Sequence, residues 1–311
     1  MKVILHIGAH RTGTTTFQAY MRQHTAALRA EGVGFWGPMR TRKGLFAGVQ
    51  PVPGLGLSGA HRARGRIMLQ MDKAARAGVE TLVVSDENMM GAPRLNLRMR
   101  SLYPDAGERM ARYACAFDGR IDKVVMSVRV LDHFWGSTAA FAVARGHLVP
   151  CDQLCETIAQ GARSWRDVIA DVACAVPGAE IEVTPFETVI GRPDLTLATC
   201  TGQTAPRPDA VDWLNRRPSA NALRAILVDR GEDPDQVPAN EARWTPFNEH
   251  TRAALRETYA DDMHWLVAGA NGVATLTEDR NHTSAGRNRP AGLRNRGQSD
   301  DIQERRMAQP R

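Results

Sequence analysis

The amino-acid sequence predicts an α/β fold in three layers, with a mostly parallel sheet flanked by helices. Apolar β-type stretches at residues 2–7, 80–85, 123–128 and 180–184 alternate with stretches of helical periodicity. The chain between successive strands is long enough for a crossover helix, and crossovers of this kind join parallel strands.

The first predicted strand leads directly into a Gly/Thr-rich turn, followed by an amphipathic stretch from about residue 15 to residue 30. Backbone N–H groups of such a turn, and the positive end of the helix dipole, converge where a phosphate can bind. Gly8 and Gly13 let the backbone approach a ligand closely, the Thr hydroxyls add donors, and Arg11 supplies a permanent cation. This stretch therefore predicts an anion-binding loop.

The next part of the chain is weakly patterned before a second strand. Residues 32–37 predict a short strand or turn, and residues 38–59 are rich in Gly and Pro without periodicity. A loop of that length is either mobile or a lid over a ligand. A helix at 61–77 then precedes the strand at 80–85, whose continuous apolar character is typical of a buried parallel strand.

The second half of the chain continues the alternation of helices and strands. Helices are expected at about residues 107–117, 132–144, 152–160, 165–175, 219–229 (with Ser219 as N-cap) and 248–268. Ligands of parallel sheets bind at the carboxyl ends of the strands. The loop at residues 8–15, the run Ser85-Asp86-Glu87 and Arg129 are therefore expected along one edge of the sheet.

Length and composition fit one large domain followed by a tail. No Pro/Ser-rich linker divides the 311 residues midway, so residues 1–274 are assigned to one α/β domain. Residues 275–311 are rich in Arg, Asn, Gly and Gln and nearly devoid of apolar side chains, which predicts a disordered basic tail. Eight Arg against five Asp and Glu give this tail +3 of the formal net charge of +6.

The charge and the cysteines exclude several classes of protein. The positive balance suits an anionic cofactor, but it is too small and too scattered for a nucleic-acid partner. Cys151 and Cys155 have no matching Cys or His pair nearby, so no metal site is expected. No signal-peptide pattern and no apolar run of membrane-spanning length occur, which predicts a cytoplasmic protein without a membrane span.

The run from His6 to Gln18 resembles the 5′-phosphosulfate loop of the sulfotransferase family, which in bacterial members reads His-x-Gly-x-x-Lys-Thr-Gly-Thr-Thr-x-x-Gln. Every fixed position matches except the lysine, where this chain has Arg11. The resemblance implies a P-loop nucleoside-triphosphate-hydrolase-like fold and binding of 3′-phosphoadenosine 5′-phosphosulfate as sulfuryl donor. The loop residues it assigns to the donor are Gly8, Arg11, Thr12, Gly13, Thr14 and Thr15.

The same loop also invites comparison with the nucleoside-triphosphatase sequence Gly-x-x-x-x-Gly-Lys-Ser/Thr. Gly8 and Gly13 have that spacing, but Thr14 stands at the lysine position, which normally reaches the β- and γ-phosphates. Asp86 and Glu87, however, mimic the acidic end of a Walker B strand. A P-loop kinase or nucleoside-triphosphatase therefore remains an alternative, as does a catalytically silent nucleotide-binding protein.

A second pair of residues extends the resemblance. Arg129 ends the strand at 123–128, and Ser137 follows eight residues later in the next helix. In sulfotransferases an arginine and a serine at this spacing bind the 3′-phosphate of the donor. Arg offers a charge-assisted fork, and a Ser two helical turns on lies on nearly the same helix face.

Glu87 is the candidate general base, since bacterial relatives often show Ser-x-Glu after this strand and some sulfotransferases use a glutamate to deprotonate the acceptor. Others use a histidine, and His10 and His133 are the alternatives here. The resemblance thus implies transfer of a sulfuryl group to a hydroxyl or amine of a small-molecule, glycan or lipid acceptor, with Arg11 and Glu87 as catalytic residues. No metal is required, because a sulfuryl group carries less negative charge than a phosphoryl group. The sequence names neither the acceptor nor the oligomeric state.

Overall fold

The computed structural model describes residues 1–51, 56–203, 214–239 and 243–277. In these residues six strands form a single sheet. The strands are β1 (Lys2–Gly8), β2 (Val33–Trp36), β3 (Thr81–Ser85), β4 (Lys123–Val128), β5 (Glu180–Pro185) and β6 (Thr275–Leu276). Their order is β2-β3-β1-β4-β5-β6, and each neighbouring pair is parallel. The predicted α/β fold with a parallel sheet flanked by helices is confirmed.

Helices fill the connections between the strands. They are α1 (Thr14–Gln23), α2 (Thr25–Ala30), α3 (Pro38–Arg40), α4 (Gly56–Arg76), α5 (Pro93–Met99), α6 (Ala106–Ala116), α7 (Leu131–Val143), α8 (Asp152–Ala159), α9 (Trp165–Ala175), α10 (Pro193–Thr201), α11 (Ala220–Asp229) and α12 (Glu249–Val267). Among these residues no helix has both the length and the apolar character needed to cross a membrane.

Both faces of the sheet are buried, as the alternation along β1 illustrates. Val3 and Leu5 belong to the larger apolar cluster, whereas Ile4 packs with Phe17 and Met21 of α1 in a smaller one. Successive side chains of a strand point to opposite faces, so the two clusters cover opposite sides of the sheet. An apolar run on both faces is what a parallel sheet between helices requires.

The central position of β1 places three loops side by side. β1 lies between β3 and β4, so the loops that follow Gly8, Ser85 and Val128 leave the same edge of the sheet. The register of β1 against β4 shifts between His6 and Gly8, and Ala9 N–H then donates to the Ser127 carbonyl at 3.0 Å. The candidate residues after β1, β3 and β4 are therefore brought to one crevice.

The predicted loop at residues 38–59 is wrong in its first part. Pro38–Arg40 is helical, and Thr41–Leu45 forms a π-helical turn. Pro at the first helical position presets φ, and the Thr41 hydroxyl donates to Asp86 at 2.6 Å. A hydrogen bond to a distant strand end leaves no periodic signal in the local sequence. The following helix also begins earlier than predicted, at Gly56.

Other boundaries also differ from the prediction. The amphipathic stretch at 15–30 is two helices that meet at His24, and α5 (Pro93–Met99) carried no prediction. Residues 275–277 were assigned to the tail, yet Thr275–Leu276 pairs with β5. Strand pairing decides the state of so short a segment, and composition cannot reveal it. The rest of the predicted disordered tail, from residue 278, lies outside the described residues.

Candidate functional site

The turn between β1 and α1 has a backbone that few residue types adopt. Gly8, Arg11 and Gly13 have φ values of 87°, 64° and 78°. A Cβ on Gly8 would lie 2.9 Å from the Cβ of Glu87, so a side chain at that position would collide with the next loop. Gly13 is the N-cap of α1 in the left-handed conformation. The loop therefore doubles back tightly and directs the chain into the helix.

Threonine hydroxyls stabilise this loop from within. Thr12 and Thr14 each donate to the Ala9 carbonyl, at 2.7 and 3.1 Å. Thr15 Oγ1 accepts from the side chain of Asn215 at 3.0 Å. The Thr12 and Thr14 hydroxyls donate within the loop, whereas the Thr15 hydroxyl accepts from Asn215 and lines the cleft with its own O–H. The Thr15 hydroxyl and the backbone N–H groups of the first turn of α1 are therefore the donors that the loop offers to an anion.

Arg11, Arg129 and Ser137 meet at this loop. Arg11 Nε donates to Ser137 Oγ at 3.0 Å, and Arg129 Nη1 donates to the Arg11 carbonyl at 2.7 Å. The Arg129 guanidinium also lies 5.0 Å from the ring centroid of Phe186. Its buried Nε has no hydrogen-bond partner among the described residues. The residues that the family resemblance implies for two separate phosphates thus lie in direct contact.

These guanidiniums are crowded and partly desolvated. Burial, together with the charges of Arg129 and Arg145, lowers the pKa of Arg11 to about 10. Burial likewise lowers the pKa of Arg129 below its usual value. A group with a pKa near 10 is still protonated at neutral pH, so like charges are held together here at a cost that a bound anion would offset.

A cleft of about 770 Å³ opens over this cluster, a volume typical of small-molecule sites. Its described lining contains seven arginines against two glutamates, Glu87 and Glu187. The arginines are Arg11, Arg42, Arg129, Arg145, Arg216, Arg217 and Arg243. Low-dielectric walls of one dominant sign focus the field and favour anionic ligands.

Phe141 organises the mouth of the cleft. The guanidinium of Arg145 lies 3.5 Å from its ring centroid, and that of Arg11 lies 5.1 Å from it. Contact with an aromatic face stabilises an arginine without neutralising it. Both cations therefore stay available to a ligand.

Glu87 lies across the loop from these cations, at the start of the short 3-10 turn Glu87–Met89. One carboxylate oxygen accepts from Gln18 Nε2 at 3.0 Å, and the other accepts from Arg42 Nη2 at 2.9 Å. Burial pushes the pKa of Glu87 up, but the charge of Arg42, together with hydrogen bonds from Arg42 and from the Glu87 backbone N–H, outweighs it, so the pKa is held below its usual range. Glu87 is thus an ionised carboxylate that lines the cleft.

Asp86 has a different environment from Glu87. It is 2% exposed, and its carboxylate accepts from Thr41 Oγ1 and Arg42 Nη2, each at 2.6 Å, and from the Asn88 N–H at 3.1 Å. It is not among the residues that line the cleft. Asp86 therefore anchors neighbouring segments and does not face a ligand.

His10 is held by two residues that sequence reasoning missed. Its backbone N–H donates to the Tyr103 hydroxyl at 2.9 Å, and its Nδ1 lies 2.9 Å from the same oxygen. Its Nε2 lies 3.1 Å from Asn88 Oδ1. This network assigns the proton to Nε2, with Tyr103 donating to Nδ1. Burial lowers the pKa of His10, so it is a neutral ring that lines the cleft with its base nitrogen already bound.

His133 also lines the cleft, and its side chain is 42% exposed. Burial lowers its pKa, and its Nε2 lies 3.9 Å from the carboxylate of Asp132. Glu87, His10 and His133 thus all reach the cleft, and each is in the form that can accept a proton at neutral pH.

Within the described part of the chain, no group of three or more His, Cys, Asp or Glu side chains is arranged to hold a metal ion. No protein-family model matches the chain, and no curated protein matches its sequence. The chemistry of the site is therefore the basis for a function.

Proposed function

We propose that the protein is a sulfotransferase that moves a sulfuryl group from 3′-phosphoadenosine 5′-phosphosulfate to a hydroxyl or amine acceptor. The observation that carries this proposal is the contact of Arg129 and Ser137 with Arg11. The resemblance assigns Arg129 and Ser137 to the 3′-phosphate and the loop to the 5′-phosphosulfate. Arg11, Arg129 and Ser137 line the same cleft of about 770 Å³, which supports binding of a single doubly phosphorylated nucleotide by all three.

The residues present fit such a donor. Arg11 and the backbone N–H groups at the start of α1 would hold the 5′-phosphosulfate, and Arg129 with Ser137 would hold the 3′-phosphate. The buried Arg129 Nε without a partner and the crowded guanidiniums are the features that a multiply charged anion would complete. When bound, the donor supplies the sulfuryl group on its 5′-phosphate.

The protein's side chains then divide the chemistry. Glu87 takes the proton that the acceptor hydroxyl or amine loses as the new bond to sulfur forms. Arg11 and the N-terminus of α1 stabilise the charge that grows on the 5′-phosphate oxygen as its bond to sulfur breaks, which releases adenosine 3′,5′-bisphosphate. Two anchored phosphates fix the donor in line with the acceptor.

The P-loop-like assignment of the fold belongs to the same proposal. A Gly/Thr-rich turn after the central strand of a parallel sheet, leading into a helix, supports it. A kinase or nucleoside-triphosphatase is less well supported, because Thr14 stands at the lysine position and Asp86 is engaged by Arg42 and Thr41. A magnesium-holding carboxylate needs an oxygen that faces the nucleotide.

The test compares two nucleotides by thermal shift on the full chain. Adenosine 3′,5′-bisphosphate without metal should stabilise the protein, and a ligand at about 100 times its Kd adds about 2.7 kcal/mol. Stabilisation by ATP with Mg²⁺ but not by the bisphosphate would overturn the proposal. Incubation with the phosphosulfate donor and a panel of phenols, alcohols, glycans and amines then measures transfer. Bisphosphate binding with no transfer to any acceptor would instead indicate a catalytically silent nucleotide-binding protein.

A further inference from the structure

Arg42 bridges the two acidic residues that follow β3. Its Nη2 donates to Asp86 at 2.6 Å and to Glu87 at 2.9 Å, while its Nε donates to both Asp86 oxygens at 3.1 and 3.2 Å. Asp86 is buried, whereas Glu87 and Arg42 line the cleft. One side of the guanidinium is thus fixed in the protein interior, and the other side holds the cleft carboxylate.

The turn that carries Arg42 is itself fastened to the same aspartate. Thr41 Oγ1 donates to Asp86 Oδ2 at 2.6 Å, next to the three hydrogen bonds from Arg42. The chain then turns at Gly44, whose φ is 111°. This buried carboxylate therefore sets where the π-helical turn Thr41–Leu45 lies, and with it the direction of the arginine.

Glu87 is restrained at both oxygens but not saturated. Arg42 occupies one lone pair of Oε1, and Gln18 occupies one lone pair of Oε2. An ionised carboxylate offers about four lone-pair sites, so acceptor capacity remains. Two donors from different segments fix the plane of the carboxylate while leaving it able to accept a proton.

We infer that Arg42 is the positioning residue of the base: anchored on buried Asp86, it orients the Glu87 carboxylate towards the acceptor and keeps it ionised. This inference rests on the proposed function, in which Glu87 deprotonates the acceptor. Arg42 acts through Glu87 and has no assigned contact with either phosphate of the donor.

The charge around Glu87 sets the expected effect of removing Arg42. The charged and titratable groups that face Glu87 are His6 and His10 from β1 and the following loop, Arg42 from the π-helical turn, Asp86 from the end of β3, and Tyr103. Arg42 is the permanent cation of this set. Without it, burial weighs more heavily and raises the pKa of the Glu87 carboxyl.

The test uses the full chain with Arg42→Gln, Arg42→Lys and the matched control Lys43→Gln. Lys43 is an exposed neighbour on the same turn, so its loss removes one positive charge without touching the bridge. In Arg42→Gln the acidic limb of the pH–kcat profile should move to higher pH. Its kcat at neutral pH should fall by about tenfold or more, while KM for the donor changes little. Arg42→Lys should keep the limb near its wild-type pH but lose rate at every pH, because an ammonium cannot reproduce the fork.

A second measurement does not depend on turnover. Carboxyl-¹³C NMR titration of labelled glutamates, with Glu87→Gln for assignment, should show Glu87 titrating at higher pH in Arg42→Gln than in Lys43→Gln. Equal Glu87 titrations in those two variants would overturn the inference whether or not the protein transfers sulfate. If Glu87 titrates at higher pH in Arg42→Gln, as expected, but the wild-type protein transfers no sulfate, the result contradicts the sulfotransferase proposal. It still supports the effect of Arg42 on Glu87. If Arg42→Gln does not fold, the kcat of Arg42→Lys tests the inference instead. A kcat equal to that of the wild type in Arg42→Lys would overturn the positioning role of Arg42.

Discussion

Arg129 Nη1 donates a hydrogen bond to the carbonyl oxygen of Arg11 at 2.7 Å, although 118 residues separate them in the chain. The arginine that follows β4 is thereby hydrogen-bonded to the loop that follows β1. Its carbonyl partner is in a left-handed residue, and Arg11 in turn donates to Ser137. A substitution at any of these residues therefore alters the contacts of the others. Their roles are best separated by comparing how each substitution changes the affinity for different nucleotides.

Arg129→Ala should weaken binding of adenosine 3′,5′-bisphosphate by about 1.5–3 kcal/mol, the value of a charge-assisted hydrogen bond. Adenosine 5′-monophosphate, which lacks the 3′-phosphate, should lose much less affinity. Calorimetric titration of both nucleotides with wild type and variant gives the comparison. Equal losses for the two nucleotides would show that Arg129 supports the loop as a whole and does not read the 3′-phosphate.

Arg11→Ala should abolish sulfuryl transfer, because it removes the cation assigned to the leaving 5′-phosphate. The fold should persist, since the hydrogen bond from Arg129 uses the backbone carbonyl of residue 11. Initial rates of transfer and circular dichroism test the two parts separately. Arg11→Lys restores the residue of the resembling family and should retain transfer. Transfer by Arg11→Ala at the wild-type rate would remove this side chain from the mechanism.

Gly8→Ala should lower the free energy of unfolding by about 3 kcal/mol, because a left-handed backbone and a close contact with the Cβ of Glu87 act together. Gly78→Ala is the matched control, with a similar φ of 81° but no atom within 4 Å of the added Cβ. The control should cost about 1 kcal/mol, from the backbone alone. Chemical denaturation measures the free energy of unfolding of both variants. Equal losses in the two would mean that the loop around Glu87 shifts to accommodate the added methyl group at no energetic cost.

Burial lowers the pKa of His6 from 6.5 to about 4, so this ring is neutral in the folded protein and its nitrogen lies 2.8 Å from Ser85 Oγ. The unfolded chain binds a proton at this histidine more readily than the folded protein does. The contribution of His6 to the free energy of unfolding is therefore complete above about pH 6.5. It falls by about 3 kcal/mol as the pH is lowered from there towards 4. Denaturation at several pH values should show this slope, with His10 acting in the same direction.

His6→Asn should flatten that slope, whereas the exposed control His61→Asn should leave it unchanged. An unchanged slope in His6→Asn would assign the acid sensitivity to other groups. Comparing slopes, and not absolute stabilities, separates the titration of His6 from the packing that any substitution at a buried site disturbs.

The sheet could be predicted from the sequence because its strands carry their own signal. Apolar runs buried on both faces gave β1, β3, β4 and β5 to within about two residues. The edge strand Thr275–Leu276 carries too few residues for such a signal and exists through its pairing with β5. The turn at Thr41–Leu45 depends in the same way on a distant partner, the Asp86 carboxylate.

The candidate site was predictable where one local motif contains several of its residues, as in the loop from Gly8 to Thr15. Arg42 and Tyr103 had no such signal, because each reaches the site from a segment without a recognisable motif. Arg145 reaches it through contact with the Phe141 ring. Side-chain partners chosen by tertiary structure leave no spacing rule in the sequence.

The placement of β1 in the middle of the sheet also bears on the order of folding. β1 does not pair with β2, the strand that follows it in the chain, since its partners are β3 and β4. Until residues 81–85 and 123–128 have been synthesised, the apolar β1 has two open edges, a condition that favours association with other chains. The loop from Gly8 to Thr15, which follows this strand, thus gains its neighbours only after residue 128 has been synthesised, so shielding of β1 during synthesis should improve the yield of folded protein.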